Sequence, residues 1–242
     1  MHIKSKAMVL RTVKYGDNKL IVDMFTREEG RMSFLVTVPK GSRGKFGKQM
    51  FQPLSMLSVE CDVRANAQLQ KLREVSVMTP FVSIPFDYHK MSMCMFLTEF
   101  LCYALRDEQR NESLFDYIID SVLWLDESRS DYANFHLVFL MRLSMFLGFY
   151  PNLDNYEQGD YFDLRNSLFV DHVPLHRDYL MPGEASKILL MMRMNYPTMR
   201  LFKMSRQERN RLLDIITYYY RLHFPEFPEL KSLEVLREIY SS

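Results

Sequence analysis

Apolar and polar positions alternate through residues 1–80 of this 242-residue chain and give way to helical spacing from Pro85 onward. The run Ala7 to Tyr15 is rich in strand formers, and Gly16-Asp17-Asn18 ends it with residues that tolerate turn geometry. A second strand runs from Leu20 to Thr26. Arg27 to Gly30 makes the next turn, and Arg31 to Val38 is a third strand in which Phe34, Val36 and Val38 alternate with Ser33, Leu35 and Thr37. The segment after Pro39, KGSRGKFGK, carries three glycines and cannot continue a strand. The clearest period of two comes next, with Leu57, Val59, Cys61 and Val63 on one face and Ser58, Glu60, Asp62 and Arg64 on the other. Leu69 to Met78 supplies a fifth strand.

Five short antiparallel strands with turns this close together predict a small closed barrel, because closure removes the exposed edges of an open sheet. An OB-like barrel is the form selected. From Pro85 the spacing predicts a helix over Tyr88–Leu105 that is apolar on most sides, then one carrying Leu114, Ile118, Val122 and Leu125 with Asn111 as its cap. Further helices are expected over Tyr132–Phe149, Gly183–Met194 and Ser205–His223, the last opened by the capping-box pattern Ser205-Arg206-Gln207-Glu208. The expected fold class is α+β multidomain. A five-stranded OB-like β-barrel over 1–80 is followed by an α-helical bundle domain over 81–242, with an irregular insertion at about 152–180.

Charge sharpens this division. Residues 1–80 hold 14 Lys and Arg against 7 Asp and Glu, whereas the rest of the chain holds 17 against 23. Between Glu29 and Glu60 there is no acid, and the bases there are Arg31, Lys40, Arg43, Lys45 and Lys48. Phosphates are the natural counter-charge, and small barrels of this kind bind single strands through basic grooves and aromatic platforms. Two readings of the loop stand open: a solvated connection, or a phosphate-binding arm. Phe46 has the same two readings, stacking on a base or packing back on the barrel mouth. The loop is no P-loop, since the strand, GxxxxGK[ST] and helix sequence is absent.

Other chemistry is sparse. Cys61, Cys94 and Cys102 form no CxxC pair and suit reduced, buried thiols. His172 and His176 are separated by Pro174, which argues against one helical face, and Asp160, Asp163 and Asp171 complete no recognisable metal spacing. No nucleophile motif or paired-carboxylate motif stands out, so no catalytic residue, metal or cofactor is expected. The most apolar stretch, Met91 to Leu105, is interrupted by Ser92, Thr98 and Glu99 and falls short of the roughly 20 apolar residues of a membrane span. The N-terminus lacks the apolar run of a secretory signal. A cytoplasmic, nucleoid-associated location is therefore expected.

The segments KAMVLRTVKYGDNKLIVDMFTREEGRMSFLV, PKGSRGKFGK, FHLVFLMRLSMFLGFYPNLDNYEQGDYFDL and ELKSLEVLREI, in this order, resemble the RecO family of bacterial recombination mediators over nearly the whole chain. The resemblance implies a non-enzymatic protein of DNA repair and recombination. It implies binding to single- and double-stranded DNA, annealing of complementary strands, and, with RecR, loading of RecA onto strands coated by single-strand-binding protein. The candidate DNA-binding residues are Arg11, Lys14, Arg31, Lys40, Arg43, Lys45, Phe46 and Lys48 of the barrel, with Lys203 and Arg206 near the last long helix. For the C-terminal tail of single-strand-binding protein the candidates are Arg142, Leu143 and Phe146. Many family members carry a four-cysteine zinc element after the segment that here reads LGFYPNLDN, yet residues 155–179 contain no cysteine. Apolar packing of Tyr156, Tyr161, Phe162, Leu168 and Phe169 is expected to replace it. A protein-interaction adaptor, whose basic barrel binds an acidic partner, is the alternative.

Overall fold

A computed structural model describes residues 2–38, 47–64, 67–154, 156–224 and 226–239. The chain divides into two compact units: one runs to Glu127 and takes in Leu230–Ile239, the other runs from Ser128 to Glu229.

The first unit is built on β1 (His2–Lys14), β2 (Lys19–Thr26), β3 (Gly30–Thr37), β4 (Met56–Asp62) and β5 (Lys71–Thr79), in the sheet order β3-β2-β1-β4-β5. All four ladders are antiparallel. Between β3 and β5 the ladder is open, but one parallel bridge, Phe34 to Gln70, spans the gap. There Leu35 N–H donates to the Gln70 carbonyl at 2.9 Å and Gln70 N–H to the Ser33 carbonyl at 2.8 Å. This is the OB-like barrel the alternation predicts. Its core gathers Val9, Val22, Met24, Phe34, Leu57 and Val59, each fully buried.

Strand β1 begins five residues before the expected Ala7. Its first half pairs with β4, from His2 opposite Asp62 to Met8 opposite Met56, and its second half with β2. A bulge between Val9 and Arg11 joins the halves, re-aiming the side chains beyond it. Gly30 enters β3 at φ +74°, where a Cβ would lie 2.4 Å from the Gln109 carbonyl carbon, so only glycine lets the β2–β3 turn approach residues 108–109 this closely.

Helix α1 (Tyr88–Ala104), which the spacing places in a helical bundle, packs on β1 and on α6 (Ser232–Ile239) within the barrel's own unit, beside α2 (Glu112–Glu127). It is capped by Asp87, whose carboxylate accepts from the N–H of His89 and Lys90. Asn111 caps α2 by accepting from Leu114 N–H at 3.1 Å. Near the end of α2, Asp126 accepts from the N–H groups of Val82, Ser83 and Ile84 at 2.7–2.8 Å.

The second unit holds α3 (Phe135–Phe146), α4 (Pro182–Arg193) and α5 (Arg206–His223), the last opened by the predicted Ser205/Glu208 capping box. Within the stretch expected to be irregular, β6 (Tyr161–Asp163), β7 (Leu168–Val170) and β8 (Tyr179–Leu180) pair in the order β7-β6-β8. Among the described residues no helix is long and apolar enough to cross a membrane.

Candidate nucleic-acid interface

Register brings Lys14 and Lys19 together at one end of the barrel. Lys14 closes β1 opposite Leu20, and Lys19 opens β2 opposite Thr37. The connection between them is tight: Tyr15 N–H donates to the Lys19 carbonyl at 2.8 Å, and Gly16 adopts φ +73°. Val38 N–H donates to the Asn18 carbonyl at 2.7 Å, so the chain leaves β3 beside this hairpin tip. It returns through a turn at Lys48–Phe51, where the Thr12 hydroxyl donates to the Phe51 carbonyl at 2.8 Å. Arg11, Lys14, Lys19 and Lys48 are exposed, and so is Tyr15 between two of them. Val38 and the Lys48–Phe51 turn thus lie at the same end. Lys40, Arg43, Lys45 and Phe46 lie outside the described residues.

Other bases of the barrel are engaged by acids. Arg27 forms a bidentate pair with Asp116, both bonds at 2.9 Å, and reaches Glu112 at 2.6 Å. Its side-chain hydrogen bond to Asp116 raises its pKa further and holds the Asp116 carboxyl below the usual range. Arg31 is half-buried, bonded to the Cys102 carbonyl and 3.4 Å from Asp23. That environment makes Arg31 a clamp between β3 and α1 before it is a phosphate ligand. Arg73 pairs with Asp62 at 2.5 Å and Lys4 with Glu60 at 3.1 Å. Among the described residues no ion pair engages Arg11, Lys14, Lys19 or Lys48.

The candidates of the second unit lie apart from one another along its chain. Lys203 and Arg206 are exposed around the start of α5. On α3, Leu143 is fully buried and presents no surface, whereas Arg142 and Phe146 are half-buried.

The histidines and aspartates weighed as metal ligands are occupied otherwise. Asp163 accepts from the N–H of Arg165 at 2.9 Å and of Asn166 at 3.1 Å, and from the Asn166 side chain at 2.8 Å. These bonds hold its carboxyl below the ordinary range despite burial. His176 lies 3.2 Å from Asp163, while His172 pairs with Asp171 at the surface. The lobe is closed by rings: Phe162 and Tyr156 each meet Phe169 at 4.8 Å, and Phe162 meets Tyr219 of α5 at 5.9 Å. Tyr161 packs on Tyr179, and Leu168 is exposed, so it takes little part in that packing. The thiols all belong to the other unit, and burial pushes Cys61 and Cys102 up to about 11 and Cys94 to about 12. A cysteine zinc element does not fit this lobe.

Sequence reading missed Tyr15 and Lys19. The available signal was their position on either side of the Gly16-Asp17-Asn18 turn, next to Lys14.

Comparison with known proteins bears on both units. Residues 1–81 match the model for the recombination protein O N-terminal region, and residues 85–234 match that for its C-terminal region. A protein of Phocaeicola vulgatus named DNA repair protein RecO is 52% identical over 238 residues, covering 98% of this chain and 99% of the relative. Proteins of the same name from Bacteroides fragilis and Flavobacterium psychrophilum are 51% and 33% identical, covering 98% and 100% of this chain and 98% and 100% of the relatives.

Proposed function

The chain belongs to the RecO family of DNA repair proteins, and from that premise we propose that it is a recombination mediator working through the basic end of its barrel. It binds single- and double-stranded DNA, anneals complementary strands and, with RecR, helps load RecA onto strands coated by single-strand-binding protein. The observation that carries this reading is the convergence of Lys14, Tyr15, Lys19, Val38 and the Lys48–Phe51 turn at one end of the barrel. In OB-folds the connection between the first two strands is one of the usual oligonucleotide-binding loops. Lysines there neutralise phosphates and release counterions, while an exposed tyrosine offers a face on which a base can stack. Two strands held on one cationic surface repel each other less, so annealing needs no nucleotide and no covalent step. Arg11 and Lys48 contribute further positive charge, and Lys40, Arg43, Lys45 and Phe46, with Lys203 and Arg206 of the second unit, are proposed as additional contacts. The tail of single-strand-binding protein docks on the helical unit at Arg142 and Phe146. The protein acts in the cytoplasm, on the nucleoid.

The test is DNA binding by fluorescence anisotropy over a salt series, with annealing of coated strands followed in parallel. Lys14→Ala combined with Lys19→Ala is expected to weaken binding to both DNA forms and to reduce the slope of log affinity against log salt by about 0.7–0.9 for each phosphate that is no longer neutralised. A slope left unchanged by both this variant and the Lys40/Arg43/Lys45/Lys48→Ala variant would refute the barrel end as the DNA site. Full displacement of DNA by an acidic peptide, without annealing, would favour the adaptor reading.

A further inference from the structure

The barrel's unit also carries a groove of about 780 Å³ between β1, α1 and α6, within the 300–1,000 Å³ range of small-ligand sites. Its apolar surface comes from Pro53, Met95 and Val235 over the buried Leu10, and its cationic lining from Arg11, Arg31, Arg106 and Lys231. The bulge in β1 creates this surface: Val9 turns into the barrel, while Leu10 and Arg11 turn to the groove. The acid among the lining residues, Glu99, is turned to the start of α6. Its carboxylate accepts from Lys231 N–H at 3.1 Å, from Ser232 N–H at 2.8 Å and from the Ser232 hydroxyl. With Arg31 held by Asp23, the lining still sets Arg11, Arg106 and Lys231 against the one carboxylate, so net positive charge stands beside exposed Met95 and Val235, the complement of an anion that carries an apolar face.

We propose that this groove holds one or two unpaired nucleotides of a DNA strand crossing the barrel's basic end, the bases lying on Met95 and Val235 above Leu10 and a phosphate on Arg11. The proposal rests on the DNA-binding reading above and names a subsite for it. Continuity selects DNA over an acidic peptide. Arg11 and Thr12 line the groove, and Lys14 follows Thr12 on the same face of β1, about 7 Å further along by the ordinary strand rise. Thr12 also touches the turn that carries Lys48. A single backbone can thus run from the groove past Thr12 to Lys14 and the Lys48 turn at the hairpin tip. A duplex keeps its base faces stacked inside and reaches only the phosphate contacts, so the groove favours single strands.

The test compares an oligothymidine with a blunt duplex of equal length on the full chain. Met95→Ser combined with Val235→Ser removes apolar surface and no charge; both side chains are exposed, 53% and 42%, so an unchanged unfolding midpoint is the control for folding. Single-strand affinity should fall about tenfold with its salt slope unchanged, while duplex affinity stays as it was. Equal losses on both DNA forms, or no loss on either, overturn the proposal. So does loss of binding to an acidic, apolar peptide with single-strand affinity intact, which makes the groove a peptide site. DNA binding that survives the groove variant refutes the groove alone, whereas absence of DNA binding by the unaltered chain refutes the mediator reading as well.

Discussion

The barrel and the 156–180 lobe are both small β structures, but they are held together differently. The barrel encloses its own core: its five strands of 7 to 13 residues wrap a cluster in which Phe34, Val22 and Val59 are fully buried. The lobe's strands have 3, 3 and 2 residues, too short to bury a face alone. It borrows Tyr219 of α5 and fastens its turns with Asp163 and Asp178, which bonds to Tyr218 and Arg165. A lobe this small needs external fastening, and in this chain aromatic rings and carboxylate-closed turns supply it where thiolates and zinc would serve elsewhere.

The largest expected effect breaks the barrel. Phe34→Ala deletes a fully buried ring at the bridge that joins β3 to Gln70, so a loss of about 3–5 kcal/mol is expected in urea unfolding, with DNA binding lost alongside it. A variant within about 1 kcal/mol of the parent would mean that the barrel core is not organised around this ring. Next, Phe162→Ala should destabilise the second unit by about 3 kcal/mol while the barrel still binds DNA, and chelation of metal should leave the parent's unfolding midpoint in place. A midpoint lowered by chelator would show a metal fastening the lobe after all.

Acid sharpens the contrast by a smaller amount. Burial, aided by Arg209, holds His136 of α3 neutral down to about 3, whereas an unfolded histidine takes up its proton near 6.5. The unfolded chain then binds more protons below pH 6.5, so the second unit is at full strength above that pH and loses stability progressively as the pH falls below it. His223, also pushed down by burial, adds in the same direction. The barrel's unit contains only His2, which is exposed, and His89, which is half-buried beside Asp87, so it should hold its stability between pH 6.5 and 5, above the range in which its depressed carboxylates Glu112, Asp116 and Asp126 take up protons. His136→Leu should flatten the slope between pH 6.5 and 5 in thermal unfolding; the same slope in the variant would assign it to another group.

Local pattern was enough for much of this protein. Alternation at Leu57, Val59 and Cys61, the turn residues Gly16-Asp17-Asn18, the cap at Asn111 and the Ser205/Glu208 capping box act through neighbours a few residues away, so their structure is written in short windows of sequence. The excess of bases in residues 1–80 is legible in the same way. Tertiary structure decided which of those bases face solvent. Arg27 meets Asp116 from 89 residues away and Arg31 meets the Cys102 carbonyl from 71, while Lys14 and Lys19 share a hairpin tip with no such partner among the described residues. The early start of β1, the strands of the lobe and the groove beneath Leu10 depend likewise on ladders, a bulge and helix packing between residues far apart in the chain. A charge reads the same in sequence whether an acid from another element meets it or not, and only the fold brings that acid near.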